Sequence, residues 1–159
     1  MTVRNWFFGV ASLLIVATAL LLASQHVHSS PGIFYKPAPL ELKDNQVLNV
    51  YYFHGNVRCS TCKRIEKYTT QALQQGYLKP LGQHTLQLKT VNVEAEGNGH
   101  YVKDFQLMTR SVVLELTEDG KTLSWQRLDR VWQLVNDEQK FTNYLYKEIE
   151  RITQDKPSV

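Results

Sequence analysis

Phe53-His54-Gly55-Asn56-Val57-Arg58-Cys59-Ser60-Thr61-Cys62-Lys63 holds both cysteines of the chain, with two residues between them. The stretch begins where an apolar run, Val47 to Phe53, gives way to a helical pattern. A strand, a loop, a Cys-x-x-Cys and a helix, in that order, is the spacing of a redox motif. Cysteines at helix positions i and i+3 share one face, a turn apart. Their sulfurs are then close enough to bridge or to share a soft metal ion.

Working outward, Val47 to Phe53 is nearly continuous in apolar and aromatic residues, as a central strand buried on both faces would be. Asp44-Asn45 reads as the turn before it, and Gly55-Asn56 ends it. From Ser60 to Gln75, Ile65, Tyr68 and Ala72 recur at helical spacing with Leu73 alongside. Ser60 is placed to cap this helix and Gly76 to stop it. Pro80 and Gly82 mark a loop. Leu86 to Val93 alternates like a strand, with a phase slip at Lys89 that predicts a bulge or an early end. Glu94 to Gly99 is a polar loop, and Tyr101 to Leu107 a short helix. Ser111 to Leu116 is a second apolar strand. It joins an alternating one, Thr122 to Leu128, through an Asp119-Gly120 turn. Val131, Trp132, Leu134 and Val135 predict a helical piece. Asn136-Asp137 then caps a longer helix to Thr153, with Phe141, Leu145, Ile149 and Ile152 inward. Two strands joined through a helix call for a right-handed crossover, and the last two form a hairpin. The fold class is α/β, a four-stranded mixed sheet flanked by helices.

The 159-residue chain is 43% hydrophobic and 21% charged, enough for one domain and a tail. A formal charge of +3 without a basic stripe argues against nucleic acid as a partner. The N-terminus differs in kind. Asn5 to Gln25 carries no charge, about the length that crosses a hydrocarbon core. Arg4 precedes the run, Trp6 stands near one end, and the next lysine is Lys36. Residues 1–25 are therefore read as a membrane anchor or a signal segment, with the domain facing the periplasm or cell exterior. The domain would be secreted if the segment is cleaved. Residues 26–42, with Ser29-Ser30-Pro31-Gly32, Pro37 and Pro39, read as a linker, and 43–155 as the domain.

Outside the cytoplasm a lone cysteine pair can be a plain structural disulfide. Such bridges stabilise mainly by closing long loops, and this one spans two residues. A redox or ligand-binding role is the better reading.

The element order, with Cys-x-x-Cys opening the first helix, resembles the thioredoxin fold over about residues 43 to 153. Phe53-His54-Gly55, the Cys-Ser-Thr-Cys-Lys motif, His100-Tyr101-Val102 and Ser111-Val112-Val113 are together similar to a family of membrane-tethered thioredoxin-like proteins. These are often labelled ArsF-like or as nitroreductase subunits. The resemblance implies a thiol–disulfide oxidoreductase working with a protein thiol/disulfide partner, or with a membrane electron donor. No cofactor is implied; nothing reads as a flavin site. The chain departs from thioredoxins twice. Where they bury a carboxylate under the cysteines, it offers Tyr51, Tyr52, Phe53 and His54. Where they place a cis-proline, it has Met108-Thr109-Arg110-Ser111-Val112.

Cys59 is the expected attacking thiol, its thiolate favoured by the helix N-terminus and by Arg58 and Lys63. Cys62 is the resolving thiol. His54 is read either as a proton relay or third metal ligand, or as a histidine simply hydrogen-bonded at a strand end. Ser111 is expected to face the sulfurs in the cis-proline place, behind a trans peptide bond, with its hydroxyl as a donor. On that reading Ser111→Pro lowers the reduction potential. His100 is read as exposed, and Trp125 and Trp132 as core. The alternatives are a dithiol binder of metal or arsenite, for which His54 would have to help, and a non-catalytic assembly subunit.

Overall fold

The computed structural model describes residues 35–154. The anchor or signal segment expected at 1–25 and the linker as far as residue 34 lie outside the described residues.

Strand β1 (Gln46–His54) leads into helix α1 (Ser60–Gly76), short helix α2 (Leu78–Gly82), strand β2 (Leu86–Asn92) and short helix α3 (His100–Asp104). Strands β3 (Ser111–Glu118) and β4 (Lys121–Arg127) follow, then a single turn, α4 (Val131–Leu134), and helix α5 (Glu138–Gln154). The four strands form one sheet in the order β2-β1-β3-β4. β1 runs parallel to β2 and antiparallel to β3, which pairs antiparallel with β4. This is a thioredoxin-like α/β architecture, and it matches the element order read from the sequence.

Both faces of β1 are covered, so its apolar run is continuous. On one face Leu48, Val50 and Tyr52 pack with Ile65 and Leu73 of α1 and with Phe141, Leu145 and Ile149 of α5. On the other, Tyr51, Phe53 and Val113 meet Phe105 of the α3–β3 connection, with Tyr101 and Trp125 against them. Phe53 and Phe105 have ring centroids 5.6 Å apart, and Tyr51 stacks on Phe53 at 5.2 Å.

Two local expectations change. The β1–β2 register runs unbroken from Leu48↔Leu86 to His54↔Asn92, so there is no bulge at Lys89. Leu86 and Leu88 face the α1 layer and Val91 and Val93 the aromatic layer. The apparent phase slip is one straight strand burying opposite faces at its two ends. The sheet's register shift lies instead between Leu116 and Thr117. Pro80 does not break the chain into loop; it sits in the first turn of α2, where its missing N–H has no helical partner to lose. The hairpin is as expected, with φ of 51° at Asp119 and 75° at Gly120, both positive as a type I′ turn needs.

Residues 35–42, inside the stretch read as a linker, lie against the domain. Tyr35, Leu40 and Leu42 pack on the α1–α5 core. The Tyr35 hydroxyl and the Ala38 N–H both donate to Glu150, the latter at 2.8 Å. Among the described residues no helix is long and apolar enough to cross a membrane.

Candidate active site

Cys59 and Cys62 are joined as a disulfide with Cα atoms 5.0 Å apart. The cap of α1 is Cys59 itself, not Ser60. Its backbone is extended (φ −71°, ψ 162°), and its Sγ accepts from the Cys62 N–H at 3.0 Å. That geometry belongs to the residue before the first helical one, and Ser60 is already helical. Cys59 is exposed, whereas Cys62 is buried at 2%. One sulfur can meet a partner and the other cannot.

Beneath Cys62 lies Tyr52. Its hydroxyl donates to the Cys62 carbonyl at 2.7 Å, and its ring is fully buried. Burial pushes its pKa from 10.0 up to about 12, against the opposing pull of Arg58 and Arg110. A neutral phenol, and not a carboxylate, therefore lies beneath the buried cysteine. Arg58 lies over the same ring, 5.9 Å from its centroid, and pairs with Glu66 on the next turns of α1. Much of the charge expected to favour a Cys59 thiolate is thus already neutralised. Lys63 stands exposed.

His54 donates from Nδ1 to its neighbour's carbonyl, Gly55 O, at 2.9 Å, and its ring stacks on Tyr52 at 6.0 Å. Ser111 pairs with Phe53 across β1 and β3 and is buried at 5%. No peptide bond among the described residues is cis, so the bond before Ser111 is trans. Its hydroxyl donates to Thr109 O at 2.8 Å. Donation toward a sulfur would require breaking that bond. His100 is exposed, with Nδ1 on Gly97 O at 2.8 Å.

The loop before the cysteines is braced from the next crossover. The Val93 N–H donates to His54 O at 2.9 Å and the Asn56 N–H to Glu94 Oε2 at 2.8 Å. Asn92 Nδ2 donates to Asn56 Oδ1 at 2.7 Å, and Asn98 Nδ2 to Asn92 O at 2.9 Å. The sequence marks 94–99 as a polar loop, and nothing in it announces this bracing role. On the other side, Arg110 Nη2 reaches Val57 O at 3.4 Å, while the Trp132 indole N–H holds Arg110 O at 2.8 Å. Trp132 thus has a second task beyond core packing. A cavity of about 150 Å³ lies between these loops, walled by Phe53, Val93, Val102, Leu107 and Met108 together with His54 and Arg110. Among the described residues no three His, Cys, Asp or Glu side chains are grouped to hold a metal ion.

No protein-family model matches the chain. No curated protein matches it. Among solved structures, the chain is similar to Trxlp from Edwardsiella tarda at 16% identity and a TM-score of 0.39, over 65% of this chain and 82% of that one. It is similar to oxidised thioredoxin O2 from Arabidopsis thaliana at 14% and 0.41, over 68% and 76%. It is also similar to a mutant thioredoxin from Halobacterium salinarum at 17% and 0.40, over 78% and 93%. Strand order and the seat of the disulfide define the architecture without these likenesses. A thioredoxin-like sheet with a Cys-x-x-Cys bridge opening its first helix is the equipment of a thiol–disulfide oxidoreductase.

Proposed function

We propose that this protein is a thiol–disulfide oxidoreductase that cycles Cys59 and Cys62 between dithiol and disulfide. The observation that carries this reading is the asymmetry of the pair. Cys59 caps a helix in solvent, Cys62 is buried one turn in, and the bridge between them closes only two residues. A loop so short adds little stability, while exposure of one sulfur admits a partner. In the dithiol form Cys59, at the N-terminus of α1, is the nucleophile. Cys62 then attacks Cys59 Sγ and frees the partner. His54 and Ser111 act as positioning residues, through Gly55 and Thr109. The partner is a protein thiol or disulfide. Tethering at the outer face of a membrane rests on the uncharged run Asn5–Gln25 behind Arg4. This extends the likeness to the membrane-tethered ArsF-like proteins.

The test is titration of the native protein with dithiothreitol, followed by alkylation of the reduced form against pH. The bridge is expected to open with the far-ultraviolet circular dichroism unchanged. Cys59 is expected to alkylate first, with an inflection below the free-cysteine value of about 8.5. A bridge that resists excess dithiothreitol, or an inflection at or above that value, overturns the reading.

A further inference from the structure

Arg110, which reaches the backbone two residues before Cys59, has a cation's requirements and no ion-pair partner among the described residues. Arg110 is half-buried, and its Nε is buried without a hydrogen-bond partner. Its guanidinium makes one long bond, to Val57 O at 3.4 Å. No ion pair includes it among the described residues, whereas Arg58, Arg127 and Arg151 each have a carboxylate; Arg64 and Arg130 are also without one, but both are exposed. Glu94 lines the same cavity but is engaged with the Asn56 N–H. A partly desolvated guanidinium without a counter-charge is costly, and its planar fork matches a carboxylate. The position is also held from behind, since the Trp132 indole fixes the Arg110 carbonyl at 2.8 Å.

The surroundings say what brings the carboxylate. Val57, two residues before Cys59, is 73% exposed, and Met108, two before Arg110, is 88% exposed. Two large apolar side chains thus stand in solvent, one two residues from the reactive Cys59 and one two residues from the cation that reaches Val57 O, and such surface suits a polypeptide better than a small polar disulfide.

We infer that Arg110 selects the substrate: a polypeptide disulfide with an acidic side chain next to the reacting cysteine, its carboxylate received by the Arg110 guanidinium. This rests on the oxidoreductase reading and names its substrate class. The Cys59 thiolate attacks the substrate sulfur nearest that acid. The substrate S–S bond breaks, and its other sulfur leaves as a thiolate that takes a proton. Cys62, losing its proton, attacks Cys59 Sγ; the mixed disulfide breaks and the second substrate thiol is released. The protein dithiol gives up two electrons and two protons and becomes the Cys59–Cys62 disulfide, while the substrate disulfide becomes two thiols.

The experiment mixes the fully reduced protein with two peptide disulfides, identical except for Glu or Gln beside the cysteine, and with glutathione disulfide. Rates are read from the loss of protein thiols. The Glu peptide is expected to react about tenfold faster than the Gln peptide, and faster than glutathione disulfide, at low salt. That ratio is expected to fall to about one in Arg110→Gln and to persist in part in Arg110→Lys. Lys63→Gln keeps the preference. Equal rates in the native protein, or a preference surviving in Arg110→Gln, overturn the inference and leave the oxidoreductase reading standing. Faster reaction with glutathione disulfide overturns the polypeptide assignment. If no disulfide is reduced, the oxidoreductase reading fails and the substrate assignment falls with it.

Discussion

Tyr52 shows how one residue can set the chemistry under a disulfide. A carboxylate there would offer the buried thiol a base; a phenol held near pKa 12 stays neutral across the physiological range. Its hydroxyl is spent on the Cys62 carbonyl. The same burial makes the fold alkali-sensitive. The unfolded phenol ionises near 10.0, while the folded one keeps its proton to about 12, so between these values the native state holds more protons than the unfolded one. Stability is therefore complete below 10 and is lost as the pH rises through that window. Tyr51 and Tyr77, also raised by burial, extend the loss in the same direction. Urea midpoints taken from about pH 8 upward should fall, with a shallower fall in Tyr52→Phe. At the lower end that variant should already be weaker by about 1 kcal/mol, the worth of one buried hydrogen bond. A parallel fall in the two proteins would acquit Tyr52.

At the scale of elements, the active-site helix does not position its cysteines alone. The loop ahead of it is tied to the β2–α3 connection through Glu94 and Asn92. The tie is tight enough that a Cβ at Gly55 would overlap the Glu94 carboxylate. Gly55→Ala must push that side chain off the Asn56 N–H, at a cost of about 1–2 kcal/mol. Glu94→Ala removes the obstacle along with the bond. The double variant should then lose less than the sum of the single ones, by about 0.5 kcal/mol or more. Denaturation midpoints of the four proteins measure this, and additivity would mean the loop is held by something else. The same loop also meets Arg110 at Val57 O, and the Arg110 carbonyl is pinned by Trp132 of the single turn α4.

For the whole molecule, the segment ahead of β1 belongs to the folded unit. Residues 35–42 cross the far ends of α1 and α5, where a Cβ on Gly76 would come within 2.7 Å of the Tyr146 ring and 2.8 Å of Pro37. Only glycine permits that approach. Tyr35, Leu40 and Leu42 add apolar burial, and Glu150 takes two hydrogen bonds from the segment. A chain beginning at residue 31 should be folded. One beginning at residue 43 should be less stable by about 2–4 kcal/mol, from the lost burial and bonds. Equal thermal midpoints would show that the segment lies on the domain without stabilising it.

What the sequence determined by itself is local in origin. The cysteine spacing, the helical phase of Phe141, Leu145 and Ile149, the Asp119-Gly120 turn and the order of strands and helices depend on residues a few positions apart. Side-chain period and turn chemistry act over that range. What only the tertiary structure decided depends on which residues meet across the sheet. β1 is apolar on both faces, so alternation could not say that Tyr52, and not Phe53, lies under Cys62; the packing of α1 decides it. Arg58 stands outside the helix that carries Glu66, so no helical spacing announces their pairing. Arg110 meets Val57 because β3 lies beside β1, which brings together loops 53 residues apart in the chain. Such contacts form only once the strands between them are registered, and a periodicity read along one segment carries no record of them.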